Sequence, residues 1–263
     1  MHPIERLRYV ARASGVPQAV LVREAAGALA SFSREPHGLV TACRRMLARQ
    51  PGSGPLLWLG ARVLAASDPL AELRRCMDAL DDDPTGTELR YAFPDGATVA
   101  FLGWPDVAAG AVRSRGDICA LVIDTGGEGS GFVQRLWDSD IEAVDIPLAG
   151  LGAAVGSADL VVLESPAIGP TECLAVSGSH AAAAVAHHRG IPVWLVGGVG
   201  RLLPGPMWET LRNRSVDPDD PWDDDDEIVP LDLVSHIVGP TGPRPTAEAL
   251  QDVDCPIVPE LLA

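Results

Sequence analysis

The chain has 263 residues and a formal net charge of −16, and all of its Lys+Arg complement is arginine. That length buries a substantial core and suits one large domain, or a small one joined to a larger. The acidic balance argues against a protein that grips nucleic acid through a basic face.

No apolar run reaches the roughly 20 residues a membrane span needs. The opening MHPIERLRYVARASG lacks the apolar stretch of a secretion signal, so a cytoplasmic location is expected. The cysteines (Cys43, Cys76, Cys119, Cys173, Cys255) are scattered and without CxxC spacing, which points neither to a disulfide framework nor to a zinc site.

Apolar residues first recur at helical spacing: Ile4, Leu7 and Val10; Val22, Ala25, Leu29 and Phe32; Leu39, Cys43, Met46 and Leu47; Leu56, Leu59 and Val63; Leu70, Leu73 and Met77. Pro and Gly punctuation at 15–17, 35–36, 50–52 and 67–69 divides them into five short helices. The sequence DDDPTG at 81–86 closes this section, and the chain is expected to divide there into an all-helical N-terminal domain, 1–86, and an α/β domain, 87–263.

Beyond it, apolar strands are expected at 97–102, 118–123, 143–146, 160–163 and 191–196, with helices at 107–113, 132–137, 148–155 and 172–189 between them. Strands alternating with helices argue for a Rossmann-like, mostly parallel sheet. The runs at 160–163 and 191–196 around one small-residue helix read as a parallel β-α-β unit buried on both faces. Ligands in such sheets sit beyond the carboxyl ends of the strands, so loops 164–171 and 197–204 are expected to line a shared rim. The tail, 228–234 and 237–238, reads as a last strand or helix. The loop at 214–227 carries the acidic run DPDDPWDDDDE, which lacks calcium-loop spacing and reads as a solvated loop.

Several residues in these loops are candidates for chemistry. The glycine-rich turn at 124–131 follows a strand and opens a helix, so Gly126 and Gly127 could bring backbone N–H groups to a phosphate; its spacing is not GxGxxG, and a plain flexible turn is the other reading. Gly178 and Ser179 either hold a phosphate or allow close helix packing. Glu164 and Glu172 flank loop 165–171, where a carboxylate could work as general acid or base or could cap a helix. Arg201 could reach an anion over the same edge. His187 and His188 suit a helix C-terminus, where positive charge is favoured. Cys119 reads as an inert core thiol.

In chain order these residues resemble a known family. Ser157-Ala158-Asp159 before a strand, Ser177-Gly178-Ser179 in a helix, His188-Arg189-Gly190-Ile191-Pro192 entering the next strand and Arg201-Leu202 after it follow one pattern. It is that of the alpha, beta and delta subunits of eukaryotic translation initiation factor 2B, methylthioribose-1-phosphate isomerase and ribose-1,5-bisphosphate isomerase. The resemblance implies a helical domain before a Rossmann-like α/β domain, a homodimer built through the α/β domain, a phosphorylated sugar or nucleotide as ligand, and neither cofactor nor metal.

The family's isomerases use a cysteine and an aspartate. Here the loop that should hold the cysteine reads Gly103-Trp104-Pro105-Asp106, and the aspartate falls on Glu172 counting back from Gly178. The resemblance therefore implies a binding or regulatory protein that lacks the catalytic thiol. Alternatives are an aldose–ketose isomerase using Glu172 and Asp106 as its acid–base pair, and an interaction module without a small ligand.

Overall fold

Residues 18–262 are described by the structure, a computed structural model. The helix expected around Ile4, Leu7 and Val10 lies outside the described residues. The other four N-terminal helices form as expected: α1 (Gln18–Leu29), α2 (Pro36–Leu47), α3 (Gly54–Ala65) and α4 (Pro69–Asp81). Their starts are set locally. Ser53 caps α3 by accepting from Leu56 N–H, and Asp68 caps α4 by accepting from Leu70 and Ala71, with Pro69 opening that helix. A further helix, α5 (Thr85–Ala92), follows the DDDPTG sequence and turns Leu89 and Phe93 toward the sheet.

The remaining elements alternate: β1 (Thr98–Leu102), α6 (Asp106–Val112), β2 (Cys119–Asp124), α7 (Gly129–Trp137), β3 (Glu142–Pro147), α8 (Leu151–Ser157) and β4 (Leu160–Glu164). After β4 come β5 (Ala167–Ile168), β6 (Glu172–Val176), α9 (Ser179–Arg189), β7 (Val193–Val196), α10 (Gly205–Ser215), β8 (Asp226–Pro230), β9 (His236–Gly239), β10 (Gly242–Pro245) and α11 (Thr246–Ala249). Seven strands form one sheet in the order β10-β9-β7-β4-β1-β2-β3, parallel throughout except for the β9–β10 hairpin at one edge. Pro243 and Pro245 sit in that edge strand, where a missing donor is tolerated.

The central strands are apolar without interruption because each side of the pleat faces a different core. Val99 and Phe101 of β1 and Leu160 and Val162 of β4 pack with α6 and α7, whereas Ala100, Leu102, Val161 and Leu163 pack with α8 and α9. Ala182, Ala183 and Ala186 on α9 are fully buried; their small side chains let that helix lie close to the sheet. The helix stops at Gly190, whose positive φ of 68° closes the turn. The β4–β7 pairing is parallel, with Val161 opposite Val193, so both loops of the expected β-α-β unit emerge at one rim.

One expectation is corrected. The helix read over 172–189 begins only at Ser179; residues Glu172–Val176 are strand β6, paired antiparallel with β5 and β8 in a separate three-stranded sheet. The apolar stretch Cys173-Leu174-Ala175 finds its partner in Ile228 and Val229, some fifty residues later (228 − 174 = 54), and that pairing outweighs the local helix signal. The same pairing makes strand β8 of the end of the acidic run, Asp226 and Glu227.

The helical layer completes its core with residues from beyond the first parallel strands: Ala167, Leu174, Met207, Trp208 and Leu261 are buried in the same cluster as Leu29, Leu56 and Trp58. Among the described residues no helix is long and apolar enough to cross a membrane.

Candidate functional site

The carboxyl ends of β1, β2 and β4 open into a cleft of about 230 Å³. Its floor is Leu102, Leu163 and Val176; its walls come from the β1–α6 loop (Gly103, Trp104, Asp106), the β2–α7 turn (Thr125, Gly126, Glu128) and the first residue of α9, Ser179. Gln18 and Pro166 close it from the side of the helical layer, and Arg201 and Asp226 complete it.

Each wall is fixed by short-range chemistry. Glu164, the last residue of β4, accepts from the N–H groups of Val107 (2.9 Å) and Ala108 (3.1 Å) at the start of α6. It also pairs with Arg201 Nη1 at 3.0 Å. Arg201 is 5% exposed, and the same Nη1 donates to the Ser165 carbonyl at 3.0 Å. The buried charge thus meets a carboxylate and a carbonyl rather than open solvent. Asp124 Oδ1 accepts from Gly127 N–H (2.8 Å) and Gly129 N–H (3.1 Å), and Glu227 Oε1 accepts from His180 N–H (2.8 Å) at the start of α9.

Two hydroxyls are left over. Ser179 is 1% exposed, and its Oγ is buried without a hydrogen-bond partner; the Thr125 Oγ1 is buried and unpartnered as well. A buried polar group without a partner costs roughly 1 to 3 kcal/mol, so both hydroxyls are available to a bound molecule. Gly178 packs its backbone against Thr125. Its φ of +99° is a left-handed conformation, and a Cβ there would lie 3.4 Å from Thr125 Cγ2.

Asp226 adds an acidic wall. Burial, helped by Asp225 and Asp224, pushes its carboxyl above the ordinary aspartate value. The folded chain therefore keeps a proton that the unfolded chain has already released, and stability falls as pH rises from the ordinary value through the raised one. Asp226→Asn is accordingly expected to be more stable than the parent at pH 7, with the gain fading as pH falls toward about 4; urea midpoints at the two pH values check this.

Of the residues singled out in the sequence, Asp106, Gly126, Glu164, Ser179 and Arg201 line the cleft, and Gly178 caps α9 directly beside it. Gly127 lies in the same turn, with its N–H taken up by Asp124. Glu172 stands elsewhere: it opens β6 opposite Pro230 and bonds Arg212 Nη1 at 3.3 Å. His187 and His188 close the far end of α9.

No cysteine lines the cleft. Cys173 is fully buried on β6 and, like Cys43, Cys76 and Cys255, has its thiol pushed up to about 12, chiefly by burial. Cys119 begins β2, at the opposite end of that strand from the cleft. Among the described residues no group of three His, Cys, Asp or Glu could hold a metal ion.

Sequence reasoning missed Thr125 and Asp226. The position of Thr125, immediately after a parallel strand, was an available signal; Asp226 was hidden in a run of like residues.

These features define an α/β chain with a helical layer and an incompletely satisfied polar cleft at the carboxyl edge of its sheet. No protein-family profile and no curated protein matches the sequence. Among solved structures, translation initiation factor eIF-2B from Pyrococcus horikoshii OT3 superposes with a TM-score of 0.77 at 14% identity, covering 95% of this chain and 98% of that one. The eIF2B beta subunit from Chaetomium thermophilum gives 0.76 at 15% identity over 98% and 91%. A chain of the tetrameric eIF2B-beta2-delta2 complex from C. thermophilum gives 0.77 at 16% over 94% and 91%. The chain has the fold of the initiation factor 2B subunits.

Proposed function

We propose that the chain is a divergent, non-catalytic relative of the initiation factor 2B subunits and the sugar-phosphate isomerases, a cytoplasmic protein that binds a small molecule in the cleft and regulates through it. The observation that carries this reading is the buried, unpartnered Ser179 hydroxyl at the rim. A bound molecule supplies the missing hydrogen bond. The β1–α6 loop, Gly103-Trp104-Pro105-Asp106, offers no thiol, and Glu172 is engaged with Arg212 away from the cleft, so the proton transfer of the isomerases lacks its partners.

The tetrameric neighbour supports a protein that works as an oligomer. On this chain the open edge of β3 carries exposed Val144, with exposed Trp137 and Leu148 beside it, an apolar surface suited to a second copy.

Ser179→Ala separates a ligand-binding residue from a packing one. Removal of an unsatisfied hydroxyl is expected to raise the stability of the ligand-free protein by about 1 kcal/mol, read by urea unfolding. The same variant is expected to lose the rise in melting temperature that the dialysable fraction of a cell extract gives the parent. Turnover of ribose 1,5-bisphosphate or methylthioribose 1-phosphate, or no response of the parent to the extract, would reject the reading.

A further inference from the structure

Several N–H groups at this rim that could attract an anion are already met by the chain's own carboxylates. The N–H groups opening α6 bond Glu164, those of the β2–α7 turn bond Asp124, and the His180 N–H of α9 bonds Glu227. Arg201, the one guanidinium lining the cleft among the described residues, is neutralised by Glu164. What remains at the lining is negative: Asp106, Glu128 and Asp226 all face the cleft, and none makes an ion pair with a described residue.

We propose that the cleft takes a small organic cation with hydrogen-bonding groups and rejects phosphate esters: the carboxylates receive the charge, and the Ser179 and Thr125 hydroxyls receive the polar groups. This rests on the reading of the cleft as a ligand site and departs from the phosphorylated ligand implied by the family resemblance. A phosphate entering here would meet the acidic Asp106, Glu128 and Asp226 and find the N–H groups of Val107, Ala108 and His180 already bonded.

The sign of the field can be read without knowing the ligand. Gly126 lines the cleft, is exposed, and has open space where a Cβ would stand. Gly152, on α8 and outside the cleft, is exposed and equally open, and serves as the reference. In Gly126→Cys and Gly152→Cys, the rates of modification by the trimethylammonioethyl and sulfonatoethyl methanethiosulfonates are each divided by the reagent's rate on 2-mercaptoethanol. The parent protein supplies the background from its own thiols.

The cation-to-anion ratio at position 126 is expected to exceed that at 152 by about tenfold, and to fall toward it when Glu128→Gln and Asp226→Asn are added. Ribose 5-phosphate and inorganic phosphate are expected to leave the rate at 126 unchanged. Equal ratios at the two positions, or protection of the introduced thiol by either phosphate, would overturn the proposal. Turnover would refute the non-catalytic reading without touching the charge ratio, so the two failures are distinguishable.

Discussion

Arg201→Met is expected to destabilise the fold by about 3 to 5 kcal/mol. Its guanidinium and the Glu164 carboxylate have only 6% and 10% of their side-chain surface exposed. Loss of the cation leaves Glu164 buried and charged with two backbone N–H donors but no counter-ion, and strips the Ser165 carbonyl of a donor. The second substitution Glu164→Gln is expected to recover part of the loss, because a neutral amide has no charge to desolvate. Urea unfolding of the two single variants and the double variant completes the cycle. An Arg201→Met cost below about 1 kcal/mol, the range of exposed pairs, would show that water reaches the pair.

A comparable loss, about 3 to 5 kcal/mol, is expected for Trp58→Ala. Trp58 is 1% exposed in the helical core, donates its indole N–H to Asp254 at 3.0 Å and lies under the loop after β7, where a Cβ on Gly200 would come within 3.0 Å of its ring. Gly200 has a φ of +77°, so this loop owes its path to both the left-handed turn and the ring below it. Alanine leaves a cavity beneath the segment that carries Arg201. Trp58→Phe, which keeps most of the ring and loses the hydrogen bond, is expected to cost well under half as much. Trp222→Ala, at a side chain that is 75% exposed, is expected to change stability by no more than about 0.5 kcal/mol. If the two alanine variants unfold at the same urea concentration, the packing account of Trp58 is wrong.

The legible parts of this fold were those whose causes are local or doubly buried. Strands β1 and β4 announce themselves because both faces are covered, which leaves no polar alternation to confuse them. The helical layer was legible from its periodicity and from Pro69 and Asp68, which set the start of α4 within three residues. Strand β6 was not. Pro170-Thr171-Glu172 is an adequate helix start, and only the distant pairing of Leu174 with Ile228 decides otherwise.

At the site, Ser179, Arg201 and Asp106 were found because small, basic and acidic residues just past parallel strands fall at one rim. Their roles were not, since a sequence cannot show that Glu164 neutralises Arg201 or that Asp124 folds back on its own turn. Asp226 is the clearest case: within a run of carboxylates, only the register of β8 singles out the one that turns inward.

The short link between β4 and β6 ties the cleft to the rest of the molecule. Ser165 Oγ lies 2.7 Å from the carbonyl oxygens of both Ala167 and Leu174, and the Pro166 carbonyl accepts the Gly54 N–H that begins α3. Ile168 N–H bonds the Arg201 carbonyl, and the next glycine, Gly169, fits so tightly against Trp208 that a Cβ would stand 2.3 Å from the ring. Pro166, which lines the cleft, is therefore bonded directly to the residue that opens α3. The strap thus joins the cleft wall at Pro166 to the first turn of α3.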